Sequence, residues 1–123
     1  MAFGDRGALG FTPSYSMHPL IAKVIGVTWK DGGRRADFTL DTNKAISEIT
    51  ANKPALTFIT TPNNPTGTLL KLGEIEELAK ATSQVNGLLV VDEAYAEFSS
   101  EASAVTLIDK YPNLIVIRTM SKA

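Results

Sequence analysis

The sequence of 123 residues contains no cysteine, a single histidine and no long apolar run. The absence of cysteine excludes disulfide bonds, zinc–thiolate centres and thiol nucleophiles. No stretch approaches the roughly 20 apolar residues of a transmembrane helix, and a net charge of −1 gives no strong attraction to nucleic acid or to an anionic membrane. The opening residues, MAFGDRGALG, lack the apolar core of a secretory signal. We therefore expect a cytoplasmic protein with neither nucleic-acid nor membrane partners.

Short apolar runs alternate with amphipathic segments along the whole chain. Apolar runs without polar alternation are typical of strands buried on both faces of a parallel sheet, and strand–helix–strand order is typical of α/β proteins. The sequence therefore predicts one α/β domain, a three-layer α/β/α sandwich with a mostly parallel sheet. The predicted strands are 8–12, 56–60, 88–91 and 114–117, together with a second strand that residues 24–29 begin and residues 30–33 end.

Four segments have the apolar spacing of helices. Met17 to Val24 carries apolar residues at helical intervals, and Asp41 is a good N-cap for a helix that Pro54 ends. Two further helices are predicted at 72–79 and 104–111. Each of the last three helices separates two predicted strands, as the α/β interpretation requires.

Polar clusters follow three successive predicted strands. They are TPNNPTG at 61–67, VDEAYAEF at 91–98 and RTMSKA at 118–123. Asn64, Asp92 and Lys122 are spaced by about 30 residues, the length of one strand–helix unit. In an open parallel sheet, ligands bind beyond the carboxyl ends of the strands. The sequence therefore predicts that an amide, a carboxylate and an amine meet at one sheet edge.

This set of groups suits pyridoxal 5′-phosphate (PLP). Burial at the rim of a sheet disfavours the charged form of a lysine, and a neutral amine such as that of Lys122 condenses with aldehydes. A carboxylate such as that of Asp92 can pair with a protonated ring nitrogen. PLP needs both a lysine for its aldehyde and an acid for its pyridine nitrogen.

In this order and spacing, TPNNPTG, VDEAY and RTMSKA resemble the fold type I PLP-dependent aminotransferases of classes I and II. The resemblance covers residues 8–123. Within that family, FTPSYSMHPLIA and VDEAYAEFS are most similar to the histidinol-phosphate aminotransferases. The resemblance implies that residues 1–123 form part of a PLP-binding large domain. The N-terminal arm, the remainder of that domain and the small domain of the family are absent from this sequence.

The resemblance implies catalytic roles for three residues. Lys122 would bind PLP covalently and then move a proton between the substrate and the cofactor. Asp92 would pair with the pyridinium nitrogen, and Tyr95 would hydrogen-bond the phenolic oxygen of the cofactor.

The same resemblance implies further cofactor-binding residues. Asn64 would also bond the phenolic oxygen, Tyr15 would stack on the ring, and Thr119 and Ser121 would contribute to the phosphate site. No metal ligand is implied. Family members often have a cis peptide after the strand, for which Asn64–Pro65 is the matching position, and Thr12–Pro13 is a second candidate.

The implied reaction transfers the amino group of glutamate to imidazole-acetol phosphate, giving 2-oxoglutarate and histidinol phosphate. The partners are therefore small molecules, and the full-length protein would be a homodimer. We expect the 123 residues alone to have little activity and to bind PLP weakly.

Three other functions remain open from the sequence. The first is another fold type I enzyme, such as an aromatic aminotransferase or a threonine-phosphate decarboxylase. The second is a PLP-binding sensor domain of a transcription regulator, and the third is a purely structural piece. His18 is interpreted as a hydrogen-bonded or solvated side chain, and Glu93 and Glu97 as charges on a solvated face or at a helix end.

Overall fold

The structure, a computed structural model, describes residues 6–63, 65–95 and 102–119. In this part of the chain, five strands form one sheet in which every pair of neighbours is parallel. The strand order across the sheet is β2-β1-β3-β4-β5. The strands are β1 Ala8–Gly10, β2 Trp29–Asp31, β3 Leu56–Thr60, β4 Leu88–Asp92 and β5 Leu114–Ile117.

Helices cover both faces of the sheet. The helices are α1 Met17–Val24, α2 Thr42–Asn52 and α3 Leu72–Gln84, followed by a 3-10 helix at Ala104–Leu107. The ring of His18 in α1 stacks on Phe58, whereas α2 and α3 share a buried core with Ile59. Adjacent strand residues point to opposite faces, so α1 lies on one side of the sheet and α2 and α3 lie on the other. The predicted three-layer α/β/α sandwich is confirmed.

The helix predicted after Asp41 forms because its two ends are specified locally. The Asp41 carboxylate accepts a hydrogen bond from the N–H of Lys44 at 3.1 Å, as an N-cap does. At the other end, Lys53 has a φ of +48°, which turns the chain out of the helix just before Pro54. Ala45 and Ile49 then face the core and are fully buried.

The apolar runs of β3, β4 and β5 form strands where the sequence predicts them. Leu89 and Val91 in β4 have no exposed surface, and Val90 on the opposite face is only 5% exposed. Burial of both faces explains why β4 shows no polar alternation. None of the helices in the described ranges is both long and apolar enough to cross a membrane.

The second predicted strand, begun by 24–29 and ended by 30–33, is misplaced, because the strand is Trp29–Asp31 and shares only Trp29 with the predicted residues. The apolar residues Val24 and Ile25 instead belong to the end of α1, where both are exposed. Gly26 has a φ of +76°, a conformation that glycine adopts at little cost, and it ends the helical path. The helix predicted at 104–111 is also shorter, a 3-10 helix that ends at Leu107.

The direction of strand addition reverses at β1. The chain places β2 on one side of β1, and then places β3, β4 and β5 in succession on the other side. Such a reversal leaves a crevice between β1 and β3, beyond their carboxyl ends. In open α/β sheets, ligands bind at this position. Residues 11–16 after β1, and residues 61–63 and 65–68 after β3, flank this crevice.

Candidate active site

Asp92 is the last residue of β4 and is only 6% exposed. Its Oδ1 accepts a hydrogen bond from the N–H of Ala94 at 3.0 Å. Its Oδ2 lies 3.2 Å from Nε2 of His18. Its backbone carbonyl accepts the N–H of Thr61 at 3.0 Å, which joins the end of β4 to the loop after β3. The carboxylate is therefore fixed at the carboxyl edge of the sheet, as the sequence predicts.

An aromatic cluster connects Asp92 to Tyr15. The His18 ring stacks on Phe58 with centroids 4.7 Å apart, and it meets the Tyr15 ring edge-on at 5.4 Å. Tyr15 itself is 42% exposed, so its ring is accessible from solvent. Beside this cluster lies a cavity of about 140 Å³, whose lining includes Gly10, Thr12, Pro13, Tyr15, His18, Trp29 and Phe58.

The predicted site residues Tyr15 and Asp92 are therefore brought to one edge, with His18 between them. His18 is expected from the sequence to be a hydrogen-bonded or solvated side chain; it lies within ion-pair distance of the Asp92 carboxylate, and the sequence did not place it in the site. One signal was available, because His18 lies in the first turn of α1 and follows Tyr15, the residue before the N-cap, by only three positions.

The three strand ends that carry the predicted site are neighbours in the sheet. Thr60 pairs with Asp92, and Asp92 pairs with Ile117. Thr119 lies just beyond β5 and Tyr95 just beyond β4, and both side chains are half-buried. The predicted site residues Asn64, Ser121 and Lys122 lie outside the described residues.

Two X–Pro peptide bonds in the crevice loops are cis. The Thr12–Pro13 bond is cis, as predicted. The Thr61–Pro62 bond is also cis, and the sequence analysis missed it. The other predicted bond, Asn64–Pro65, includes a residue outside the described part of the chain.

The loop that carries Tyr15 is anchored at its start by Asp31. The backbone N–H groups of Thr12 and Gly33 each donate to Oδ1 of Asp31 at 2.9 Å, and the Thr12 hydroxyl donates to Oδ2. Burial alone would raise the pKa of Asp31, but these hydrogen bonds outweigh burial and hold the pKa below its ordinary value. The ionised carboxylate therefore holds the end of β2 against the Tyr15 loop.

The interpretation of Glu93 as a solvated charge is wrong, because this residue is only 3% exposed. Its carboxylate accepts the hydroxyl of Ser103 at 2.6 Å and the N–H of Ala104 at 2.7 Å. Arg118 Nε lies 3.7 Å from the same carboxylate. Glu93 thus joins the end of β4 to the 3-10 helix and to the residue before Thr119. The sequence gives no local sign of this, because the partners come from other elements.

Replacing Glu93 with glutamine is expected to destabilise the fold by about 1–2 kcal/mol, the difference between hydrogen bonds to a charged acceptor and neutral ones. With its NH2 toward Ser103, the amide can still accept the Ala104 N–H and donate to the Ser103 hydroxyl oxygen, but it removes the negative charge that strengthens both bonds and faces Arg118. Chemical unfolding measures the loss. Glu77→Gln is the matched control, because Glu77 is exposed on α3. Equal stability of the two variants would contradict this role of Glu93.

Comparison with known proteins was made on sequence and on structure. The family model for aminotransferase class I and II matches residues 1–123. The chain is 51% identical over 126 residues to the histidinol-phosphate aminotransferase of Thermobifida fusca, covering 99% of this chain and 34% of that protein. It is 50% identical to that of Nocardia farcinica, covering 99% of this chain and 32% of that protein. The chain thus spans about a third of the length of the curated relatives it matches.

Among solved structures, the chain is similar to the histidinol-phosphate aminotransferase from Clostridium acetobutylicum. The TM-score is 0.86 at 29% sequence identity, and the match covers 94% of this chain and 34% of that one.

Proposed function

Because this chain belongs to the aminotransferase class I and II family, we propose that its polypeptide catalyses PLP-dependent transamination. The proposed donor is glutamate and the proposed acceptor is imidazole-acetol phosphate, giving 2-oxoglutarate and histidinol phosphate. The observation that carries this proposal is the buried Asp92 carboxylate at the carboxyl edge of the sheet, connected through His18 to the exposed ring of Tyr15. The choice of acceptor is supported by relatives that are 50–51% identical.

The donor set at this edge fits PLP. A buried carboxylate needs a charged or hydrogen-bonding partner, and the ion-pair partner of Asp92 in the described residues is an imidazole. Its site therefore also suits a pyridinium N–H, another flat ring donor and one that carries a positive charge. The exposed face of Tyr15 suits a planar aromatic ring. When bound, PLP supplies an electron-accepting ring for chemistry at the carbon that bears the amino group.

In this proposal, each residue of the chain has a physical task. Asp92 would hold a bound ring nitrogen in its protonated form, because a carboxylate favours a nearby positive charge. His18 holds Oδ2 of Asp92, and the stack on Phe58 fixes the imidazole plane. Tyr15 would stack on the ring of a bound cofactor and exclude water from that face.

The remaining roles follow the family pattern and are proposed with it. Lys122 would form the covalent bond to the cofactor aldehyde and transfer the proton. Tyr95 and Asn64 would hydrogen-bond the phenolic oxygen. Thr119 and Ser121 would donate hydroxyl hydrogen bonds to the phosphate, for which short polar side chains and backbone N–H groups are well suited.

We also propose that residues 1–123 are the central part of a large domain in a cytoplasmic homodimer. The assignment to part of a large domain is supported by length, since nearly the whole chain aligns with only about a third of each relative. On this proposal the 123 residues alone bind PLP weakly and have little activity. Equal turnover by the 123-residue chain and by the longer polypeptide would contradict the domain assignment.

The test is amine-acceptor profiling of the full polypeptide that carries residues 1–123. The enzyme is loaded with PLP, supplied with glutamate and offered imidazole-acetol phosphate or an aromatic 2-oxo acid, with 2-oxoglutarate release as the readout. The proposal expects a higher kcat/KM for the imidazole substrate. Preference for the aromatic acid would favour an aromatic aminotransferase. Cofactor binding without turnover of either acceptor would favour a sensor.

A further inference from the structure

The Asn63 amide joins the two loops that flank the crevice. Asn63 is only 3% exposed. Its Oδ1 accepts the Ser14 hydroxyl at 2.7 Å and an Arg34 N–H at 3.0 Å. Its Nδ2 donates to the Pro13 carbonyl at 2.8 Å and to the Thr66 hydroxyl at 2.7 Å. A primary amide has two donor hydrogens and two acceptor lone pairs, so this side chain is fully satisfied.

These hydrogen bonds connect the residues next to two predicted cofactor contacts. Pro13 and Ser14 directly precede Tyr15, and Asn63 directly precedes Asn64. The Ser14 hydroxyl also lies 3.1 Å from Oγ1 of Thr60 at the end of β3. The two loops follow β1 and β3, which lie on either side of the crevice. The Asn63 side chain therefore sets the distance between the loops at that point.

Arg34 fixes which way the Asn63 amide points. Its guanidinium donates to Oδ1 of Asn63, to the Phe11 carbonyl at 2.9 Å and to the Phe38 carbonyl at 3.2 Å. Burial lowers the pKa of Arg34, but arginine remains charged at neutral pH. Hydrogen bonds from a charged donor are stronger than neutral ones. With Arg34 and Ser14 both donating to the oxygen, the amide NH2 must face Pro13 and Thr66.

The position of the Tyr15 ring depends on its backbone more than on packing. Tyr15 is 42% exposed, and its ring lies perpendicular to the ring of His18 with centroids 5.4 Å apart. A loop displacement would therefore move the ring with little resistance from a core. We infer that Asn63 is a positioning residue that fixes the loop carrying Tyr15 against the loop after β3, and so shapes the cofactor site without touching the cofactor. This inference rests on the proposed function for the role of Tyr15.

The test replaces Asn63 with aspartate, which keeps the shape but puts an acceptor oxygen opposite the Pro13 carbonyl. The matched control is Asn113→Asp. The Asn113 amide donates to the Ala79 carbonyl at 3.0 Å and to Oγ1 of Thr82 at 2.8 Å, at the opposite edge of the sheet. Ser14→Ala is the milder variant, because it removes only one donor to Oδ1 of Asn63.

The first readout needs no cofactor. Hydrogen–deuterium exchange is followed by mass spectrometry in peptides that cover 11–16 and 61–68. Emission of Trp29, the single tryptophan, is followed as well, because Trp29 lines the cavity beside Tyr15. Asn63→Asp and, to a smaller degree, Ser14→Ala are expected to raise exchange in both loops and shift the emission, whereas Asn113→Asp leaves both unchanged. Faster exchange in 61–68 alone would overturn the inference.

The second readout is PLP affinity in the full polypeptide, measured by absorbance titration. Asn63→Asp is expected to raise the Kd about tenfold or more, the equivalent of one strong hydrogen bond. Asn113→Asp is expected to change the Kd for PLP less than about twofold. The two variants are compared at a similar loss of their unfolding midpoints. Equal weakening by both variants would show that Asn63 acts only through stability. Failure of the unsubstituted protein to bind PLP would count against the proposed function, and the exchange experiment would still decide the role of Asn63.

Discussion

Replacing Asp92 with asparagine is expected to lower the transamination rate by at least about 100-fold, or roughly 2.7 kcal/mol of activation free energy. The amide keeps nearly the same shape and can still accept the Ala94 N–H bond. It carries no negative charge, however, so it no longer favours a protonated ring nitrogen. The bound cofactor would then be a weaker electron acceptor, and the proton transfer proposed for Lys122 would slow. Single-turnover kinetics with glutamate measure this step directly.

The control for Asp92→Asn is Asp109→Asn. Asp109 is an exposed aspartate in the turn after the 3-10 helix. Asp109→Asn makes the same change from carboxylate to amide, but at a position away from the sheet edge that carries Asp92. PLP affinity and chemical unfolding are measured for both variants, so that a loss of folding is separated from a loss of chemistry. A folded, PLP-loaded Asp92→Asn protein that reacts at the original rate would remove Asp92 from the proposed mechanism.

The parts of the fold that the sequence predicts are those determined locally. The strands β3, β4 and β5 are short apolar runs with clear polar ends, and the Asp41 cap specifies the start of α2 within four residues. The position of Asp92 followed from topology, because successive strands of a parallel sheet place their carboxyl ends at one edge. None of these predictions needs knowledge of which distant residues meet.

The sequence could not predict contacts that depend on how separate elements pack. His18 reaches Asp92 only because α1 lies over the Phe58 face of the sheet. Glu93 is buried because the 3-10 helix presents Ser103 and Ala104 to it. The misplacement of the second strand has a local cause rather than a distant one. The apolar residues Val24 and Ile25 fit a strand by composition, but the chain is still helical there, with Gly26 ending the turn.

Reduction with borohydride in the presence of PLP is expected to leave a stable adduct on Lys122 of the full polypeptide. The Lys122 amine and the cofactor aldehyde condense with loss of water, and hydride then converts the C=N bond to a secondary amine that survives proteolysis. Lys122 follows Thr119 by three residues, beyond the strand that pairs with β4. Lys122→Arg retains a positive charge but offers no neutral amine at working pH. This substitution is expected to abolish both the adduct and turnover, which are measured by peptide mass spectrometry and by 2-oxoglutarate release.

Exposed lysines also react with aldehydes, so the position and amount of the adduct decide the result. Lys23 and Lys80 are exposed on α1 and α3 and serve as internal references in the same digest. With less than one equivalent of PLP, a specific site directs the label to Lys122, because pairing at the ring nitrogen and stacking on Tyr15 add to the affinity of the amine. Asp92→Asn should then shift the label from Lys122 toward Lys23 and Lys80. A label spread evenly over all three lysines in the unsubstituted protein would mean that the carboxylate and the amine do not act on one cofactor, and the proposed transamination would lose its physical basis.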